Sequence, residues 1–461
     1  MQKFMQKLLK KLKIETLIKY GVAAILIAVP LYPKFPFINV PGTYVSIRLE
    51  DFLILVVSAL WGIYMIPRLK EFFKNRINQS ILLFLAVALV STIAGIFLTQ
   101  TVVLHIGLLN WVRRVEYLMG FFIVATTLKS KKDLIFYIKC LMIVVIFVFI
   151  YGLGQKYYSW PVITTQNTEF AKGLALRYMP GGHLISTFAG HYDLASYVIL
   201  VAPIFIVLLF ASRNTVIGLI NDKKRIITKG ILISVLLMCF WLIANTASRI
   251  SAVSFVFSLS FALILIRKYK IIPVVLIVGF IFFGLSSNLV GRYTQILDVV
   301  VKKITGEVQI VNTAYAEERR GNAAIPTPTP IPILQDLSTS IRLNVEWPRA
   351  LRAFEKNPIL GTGFSSITLA TDNDYLRTLG EVGALGLATF LLLFFRIIKD
   401  LVKRLPIPKE VDLKSAYLAA IIASLPGLFL NAVFIDIFEA SKFAIVFWIL
   451  IGFAFARTQE N

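Results

Sequence analysis

The side chains best placed to do chemistry are charged residues standing in or beside long apolar runs. Arg113, Arg114, Glu116, Lys139, Arg249, Arg377, Glu381, Asp436, Glu439 and Lys442 all occupy such positions. A charge at the centre of a bilayer costs about 2.5–3.5 kcal/mol on insertion scales, so each of them needs a partner or a task. Arg113 with Glu116, and Arg377 with Glu381, have the helical spacing of local ion pairs. Lys139 lies near enough to a helix end to snorkel. Arg249 follows Asn245-Thr246-Ala247-Ser248 and opens an uninterrupted apolar segment, with no acidic residue near it in sequence. Two roles fit it equally: snorkelling into headgroups, or presenting a planar donor fork to a phosphate.

Metal chemistry has less support. His105, His183 and His191 are too few and too scattered to form a metal site. Asp372 and Asp374 form an Asp-x-Asp pattern that can hold a metal on a nucleotide sugar. That chemistry normally sits in a soluble nucleotide-binding domain, however, and no such domain is visible, so neither a metal nor a cofactor is expected. The two cysteines, Cys140 and Cys239, lie inside apolar runs and read as small core residues rather than a disulfide framework.

The elements that position these residues are membrane spans. Hydrophobic residues make up 57% of the 461 and charged residues 16%, and mean hydropathy is +0.78. A soluble chain would carry about a quarter charged residues. The apolar runs are long enough to cross about 30 Å of hydrocarbon, and they predict about twelve helices, at 17–32, 51–67, 80–98, 106–128, 134–153, 193–211, 230–246, 248–266, 271–289, 376–398, 415–433 and 436–455. The fold class is therefore an all-α integral membrane protein with one large external loop. Its parts are expected to be residues 1–289, with nine spans behind a basic amphipathic stretch, an external loop at 290–375, and three final spans at 376–461. The apolar N-terminal run has no small-residue cleavage site after it and reads as a retained first helix.

Basic clusters at Arg68, Lys129, Asn221, Arg267 and from Arg396 to Lys414 fall on one side if both termini are cytoplasmic, as the positive-inside bias requires. The net charge of +23 is then a set of lysines and arginines beside helix ends, drawn to anionic membrane lipids, and nucleic acid is not an expected partner. In the external loop, residues 322–333 are Pro/Thr-rich without periodicity. After them, residues 340–357 carry apolar residues at helical spacing, which predicts an amphipathic helix.

From Asn357 to Phe395 the chain resembles the O-antigen ligase/polymerase superfamily of bacterial membrane glycosyltransferases. The shared pattern is Asn357-Pro358, Gly361, Gly363, Asp372-Asn373, Tyr375-Leu376, Glu381 and Gly383. Ser248-Arg249 at the head of a span, Arg342 with Trp347, and the segment 186–200 are similar to further parts of the family. The resemblance implies a GT-C-type bundle and a metal-independent, inverting glycosyltransferase of cell-surface polysaccharide biosynthesis. Its donor would be an undecaprenyl-pyrophosphate-linked oligosaccharide and its acceptor a glycan or lipid hydroxyl on the outer face.

Within that resemblance, Arg249 and Arg342 are the candidates for the pyrophosphate. Asp372 stands where the ligase branch has a histidine and is the candidate general base. His191, Asn373, Tyr375 and Glu381 are candidate supporting residues, with His183 as a second relay. The competing class is a polytopic transporter or flippase of lipid-linked glycans. Transporters usually show two matching halves with short loops, whereas the long loop between the ninth and tenth spans has no counterpart in the first half.

Overall fold

The computed structural model describes residues 14–43, 46–162, 176–178, 182–211, 225–286, 341–368, 370–405 and 411–456; the Pro/Thr-rich stretch and the basic stretch before Ile14 lie outside them. The regular structure of the described residues is helical apart from two antiparallel ribbons of two residues per strand, which pair Ile38–Asn39 with Ser46–Ile47 and Pro161–Val162 with Leu176–Arg177.

A helix coincides with each of the twelve apolar runs. The helices in chain order are α1 (Ile14–Leu31), α2 (Leu49–Met65), the short α3 (Leu69–Lys74), α4 (Arg76–Phe97), α5 (Leu104–Thr127), α6 (Lys131–Tyr158), α7 (His191–Leu208), α8 (Arg225–Thr246), α9 (Arg249–Leu265), α10 (Ile272–Gly284), the amphipathic α11 (Trp347–Lys356), α12 (Asp374–Arg404), α13 (Leu413–Ala432) and α14 (Ser441–Phe455). Eight helices among the described residues are long and apolar enough to cross a membrane, and α9, α10 and α14 are shorter apolar helices. The protein is thus an all-α integral membrane protein.

The interior is formed by α7, α13 and α14, whose side chains are buried almost throughout. Around them α7 packs on α8, α9 and α13, α5 on α14, and α12 on α4. The α5–α14 contact relies on small residues: a Cβ at Gly452 would stand 2.9 Å from the Phe121 carbonyl, and one at Gly120 would stand 2.6 Å from Ile449. Helices in lipid associate through such close approach.

Two expectations are sharpened. The last helix begins at Ser441, so Asp436 and Glu439 lie in the turn before it, where Ile437–Glu439 form a 3-10 turn. A charged turn needs no hydrocarbon partner, and its acids are free to face other turns. Arg113 forms its ion pair with Asp51 of α2, at 3.7 Å, and donates to the Ser46 carbonyl at 2.8 Å. Tertiary packing offers it a partner on another helix in place of the local one.

Candidate functional site

The segment that leads into the site is built around a broken helix. Gly383 interrupts α12 with φ 76° and ψ −177°, a conformation that glycine adopts without steric cost. The break frees backbone groups that must be satisfied inside the protein. The loop 357–366 supplies the partners. Thr362 and Gly363 amides donate to the Gly380 and Glu381 carbonyls at 3.1 and 2.7 Å, and the Ala384 and Leu385 amides donate to Pro358 and Ile359 at 2.9 and 3.2 Å. A Cβ on Gly383 would lie 2.3 Å from the Ile359 carbonyl, and one on Gly361 would lie 2.5 Å from the Glu381 carbonyl carbon. On the other side the loop rests on α4, where Ser91 donates to the Glu381 carbonyl at 2.8 Å and Thr101, just past that helix, donates to Thr362 at 2.6 Å. The Asn-Pro, Gly-x-Gly and Glu-x-Gly pattern is therefore a plug that seats the loop into the break. The Glu381 carboxylate is committed to it, accepting the Ser365 and Ile367 amides at 3.2 and 3.4 Å and pairing with Arg377 at 3.6 Å.

At the start of α12 two turns are stitched together by reciprocal carboxylates. Asp436 accepts the amides of Thr371 and Asn373 at 2.8 and 2.9 Å. Asp374 returns the arrangement, accepting the Ile437 amide at 2.8 Å and the Phe438 amide at 3.2 Å. Arg377 lies behind them, 3.0 Å from Asp436 and 3.8 Å from Glu439, and donates to the Ile367 carbonyl at 3.1 Å. Glu439 also pairs with Arg114 of α5. The Asn373 side chain caps α12 by accepting the Leu376 amide at 2.9 Å. Tyr375 turns to α13, donating to the Phe429 carbonyl at 3.2 Å.

This frame presents Asp372, which the backbone holds at φ 49°. Its Oδ2 receives Arg342 Nε at 3.0 Å and Nη2 at 2.7 Å. Arg342 Nη2 also donates to the Tyr192 hydroxyl at 3.3 Å, so α7, the π-helical turn Arg342–Glu346 and the 371–373 turn meet at one guanidinium. The side chain of Asp372 is 24% exposed, against 11% for Asp436, which makes the former the reachable member of the corner. Burial and the Asp436 carboxylate raise the Asp372 proton affinity, and Arg342 holds it back. The His191 ring packs against Tyr192 at 3.9 Å and stacks on His183 at 4.4 Å. Trp347 faces Phe434 at 6.5 Å.

The structure thus brings Arg342, Asp372 and Tyr192 into contact, with His191 beside them. The two halves of the Asp-x-Asp pattern diverge: Asp372 faces Arg342 and Asp374 faces the Ile437 and Phe438 amides. Among the described residues no group of three or more His, Cys, Asp or Glu is arranged to hold a metal ion. Arg249 lies at the same end of the bundle. Ser248 caps its helix, and Ser251 and Ser254 of α9 bond Asn431 of α13 at 3.2 and 3.1 Å, just before the turn that carries Asp436. Sequence reasoning missed Tyr192 and the stitching function of Asp436 and Asp374. Tyr192 had a signal only in its place beside His191, and backbone amides, the partners of the two acids, leave no trace in a sequence.

Residues 232–391 match the family model described as O-antigen ligase. The matched segment contains Arg249, Arg342 and Asp372 as well as the plug around Gly383. No curated protein matches the chain.

Proposed function

We propose that the chain, whose residues 232–391 match the O-antigen ligase family model, transfers or polymerises a glycan from an undecaprenyl-pyrophosphate carrier to an acceptor hydroxyl at the outer face of the membrane. Family and helices together make it a multi-pass membrane protein of the glycosyltransferase type, acting in polysaccharide biosynthesis.

The observation that carries the finer reading is the Arg342–Asp372 pair where α12 begins. A departing pyrophosphate needs cations at headgroup level, and a guanidinium offers it charge-assisted, bidentate hydrogen bonds without a metal. At rest Asp372 and Tyr192 hold that guanidinium in one orientation. The arriving pyrophosphate carries more charge than one carboxylate and takes over the fork. Arg249, at the same end, is the second cation, and His191 keeps Tyr192 on Arg342. The acceptor hydroxyl attacks the anomeric carbon from the face opposite the leaving group, which inverts its configuration. Its proton goes to a carboxylate of the corner that contains Asp372. The basic clusters favour placing both termini in the cytoplasm, with this corner outside.

The test is reconstitution in proteoliposomes with the undecaprenyl-pyrophosphate-linked oligosaccharide pool of the native membrane. Arg342→Ala and Arg249→Ala each lower transfer by about 100-fold or more, the effect of removing a charge-stabilising donor. EDTA leaves the rate unchanged, and the new linkage has the inverted anomeric configuration. Wild-type rates in both arginine variants would sink the assignment of these residues, and a wild-type protein that forms no product would sink the reaction class.

A further inference from the structure

The corner around Asp372 holds a third carboxylate. Glu346 ends the π-helical turn Arg342–Glu346, one turn along from Arg342, so the two side chains rise from the same face. Such π turns recur at functional sites because the widened turn redirects side chains. The charged groups around Glu346 are Arg342 and Arg349 of its own segment, Asp372 of the 371–373 turn and Asp436 of the turn before α14.

The three carboxylates differ in what they have left to offer. Asp436 is filled by two amides and Arg377. Asp372 gives one oxygen to two nitrogens of Arg342. Glu346 has a buried Oε2 with no hydrogen-bond partner among the described residues. A buried acceptor without a donor is costly to keep and calls for an explanation; an incoming hydroxyl would supply the missing donor.

We propose that Glu346 is the proton acceptor of the transfer and that Asp372 is the resting partner of Arg342. This rests on the glycosyl-transfer reading given above. As the acceptor oxygen bonds the anomeric carbon, its proton passes to Glu346 Oε2. The bond from that carbon to the pyrophosphate oxygen breaks, and its electron pair leaves with the pyrophosphate, which Arg342 and Arg249 receive. Glu346 then releases the proton to water. Burial, with the neighbouring Asp372 carboxylate, pushes the Glu346 carboxyl up to about 7, where a general base works well at neutral pH.

The experiment uses full-length protein in proteoliposomes, the native lipid-linked oligosaccharide pool as substrate and undecaprenyl pyrophosphate as the binding probe. Glu346→Gln lowers kcat by about 100-fold or more, while binding of the probe stays within about threefold. The wild-type kcat/KM rises with pH through about 7, and the variant loses that limb. Glu346→Asp recovers part of the rate, because it restores the carboxylate on a shorter arm. Asp372→Asn acts instead on KM, through Arg342. Turnover by the wild type together with a Glu346→Gln rate and pH profile like its own overturns this inference and leaves the transfer reading standing. No turnover by the wild type overturns both.

Discussion

Asp436 pairs with Arg377 at 3.0 Å while its two carboxylate oxygens accept the amides of Thr371 and Asn373, the residues on either side of Asp372. One side chain therefore fixes a charge on α12 and the backbone of the turn in front of it. It also sustains the left-handed conformation of Asp372, which costs a non-glycine residue about 1–3 kcal/mol unless the surroundings impose it.

Removing that carboxylate should cost both stability and function. Asp436→Ala leaves Arg377 without its nearest acid and two amides without acceptors, and breaking a buried pair this way costs about 3–5 kcal/mol. Thermal unfolding in detergent should register the loss. Asp436→Asn keeps an acceptor oxygen for one amide and should fall between alanine and wild type, both in midpoint and in donor KM. An alanine variant that melts with the wild type would show that the turns are held by something else.

The plug in α12 predicts a sharp contrast among glycines. Gly383→Ala and Gly361→Ala each force a left-handed backbone on a residue with a Cβ, about 1–2 kcal/mol, and drive that Cβ into backbone atoms at 2.3 and 2.5 Å. Both variants should lose most of their folded yield in fluorescence size-exclusion profiles. Gly230 in α8 has nothing within 4 Å of its Cβ position, so Gly230→Ala should be neutral or gain about 0.5–1 kcal/mol. Equal yields across the three would refute the close-packed role of the loop.

Much of the architecture was legible because hydrocarbon enforces a simple rule: an apolar run must be helical to satisfy its backbone. Each of the twelve expected runs coincides with a helix, and eight of the helices among the described residues are long and apolar enough to cross a membrane. The start of the last helix was misplaced because Asp436 and Glu439 were counted into the run that follows them, although their charges marked a turn. In the site, Arg342 and Asp372 could be found from residue type and motif spacing. Their mutual pairing could not, since they are thirty positions apart and the turn between them is set by Asp436, further along still. Glu381 and Gly383 looked like the mouth of a span. That they form a plug depends on a positive φ and on partners at Pro358 and Ile359, which only the folded backbone reveals.

Lys442 offers a prediction away from the chemistry. It is fully buried, and its Nζ donates to the carbonyls of Pro30, Tyr32 and Thr187 at 3.2, 2.7 and 2.5 Å. It therefore closes the end of α1, where carbonyls lack intrahelical donors, and ties it to the segment before α7. Lys442→Met keeps the length but leaves the Tyr32 and Thr187 carbonyls unpaired, at about 1–3 kcal/mol each, while Pro30 keeps only the Thr187 hydroxyl at 2.8 Å. The variant should unfold well below the wild type, and its α1 backbone amides should exchange faster in hydrogen–deuterium experiments. Unchanged exchange in α1 would remove the capping role.

Glu346 predicts a pH dependence of stability that needs no substrate. Burial first, and then the nearby Asp372 carboxylate, raise its carboxyl from 4.5 to about 7 in the folded protein. Between about pH 4.5 and 7 the folded chain keeps a proton that the unfolded chain has released, so this group's contribution falls as pH rises through that window and stays low above it. Glu346→Gln is neutral at every pH and lacks the slope. Relative to wild type, the variant should therefore be more stable at pH 8 than at pH 5, as read from thermal midpoints in one detergent. The same offset at both pH values would mean that the Glu346 carboxyl titrates as an ordinary solvent-facing acid.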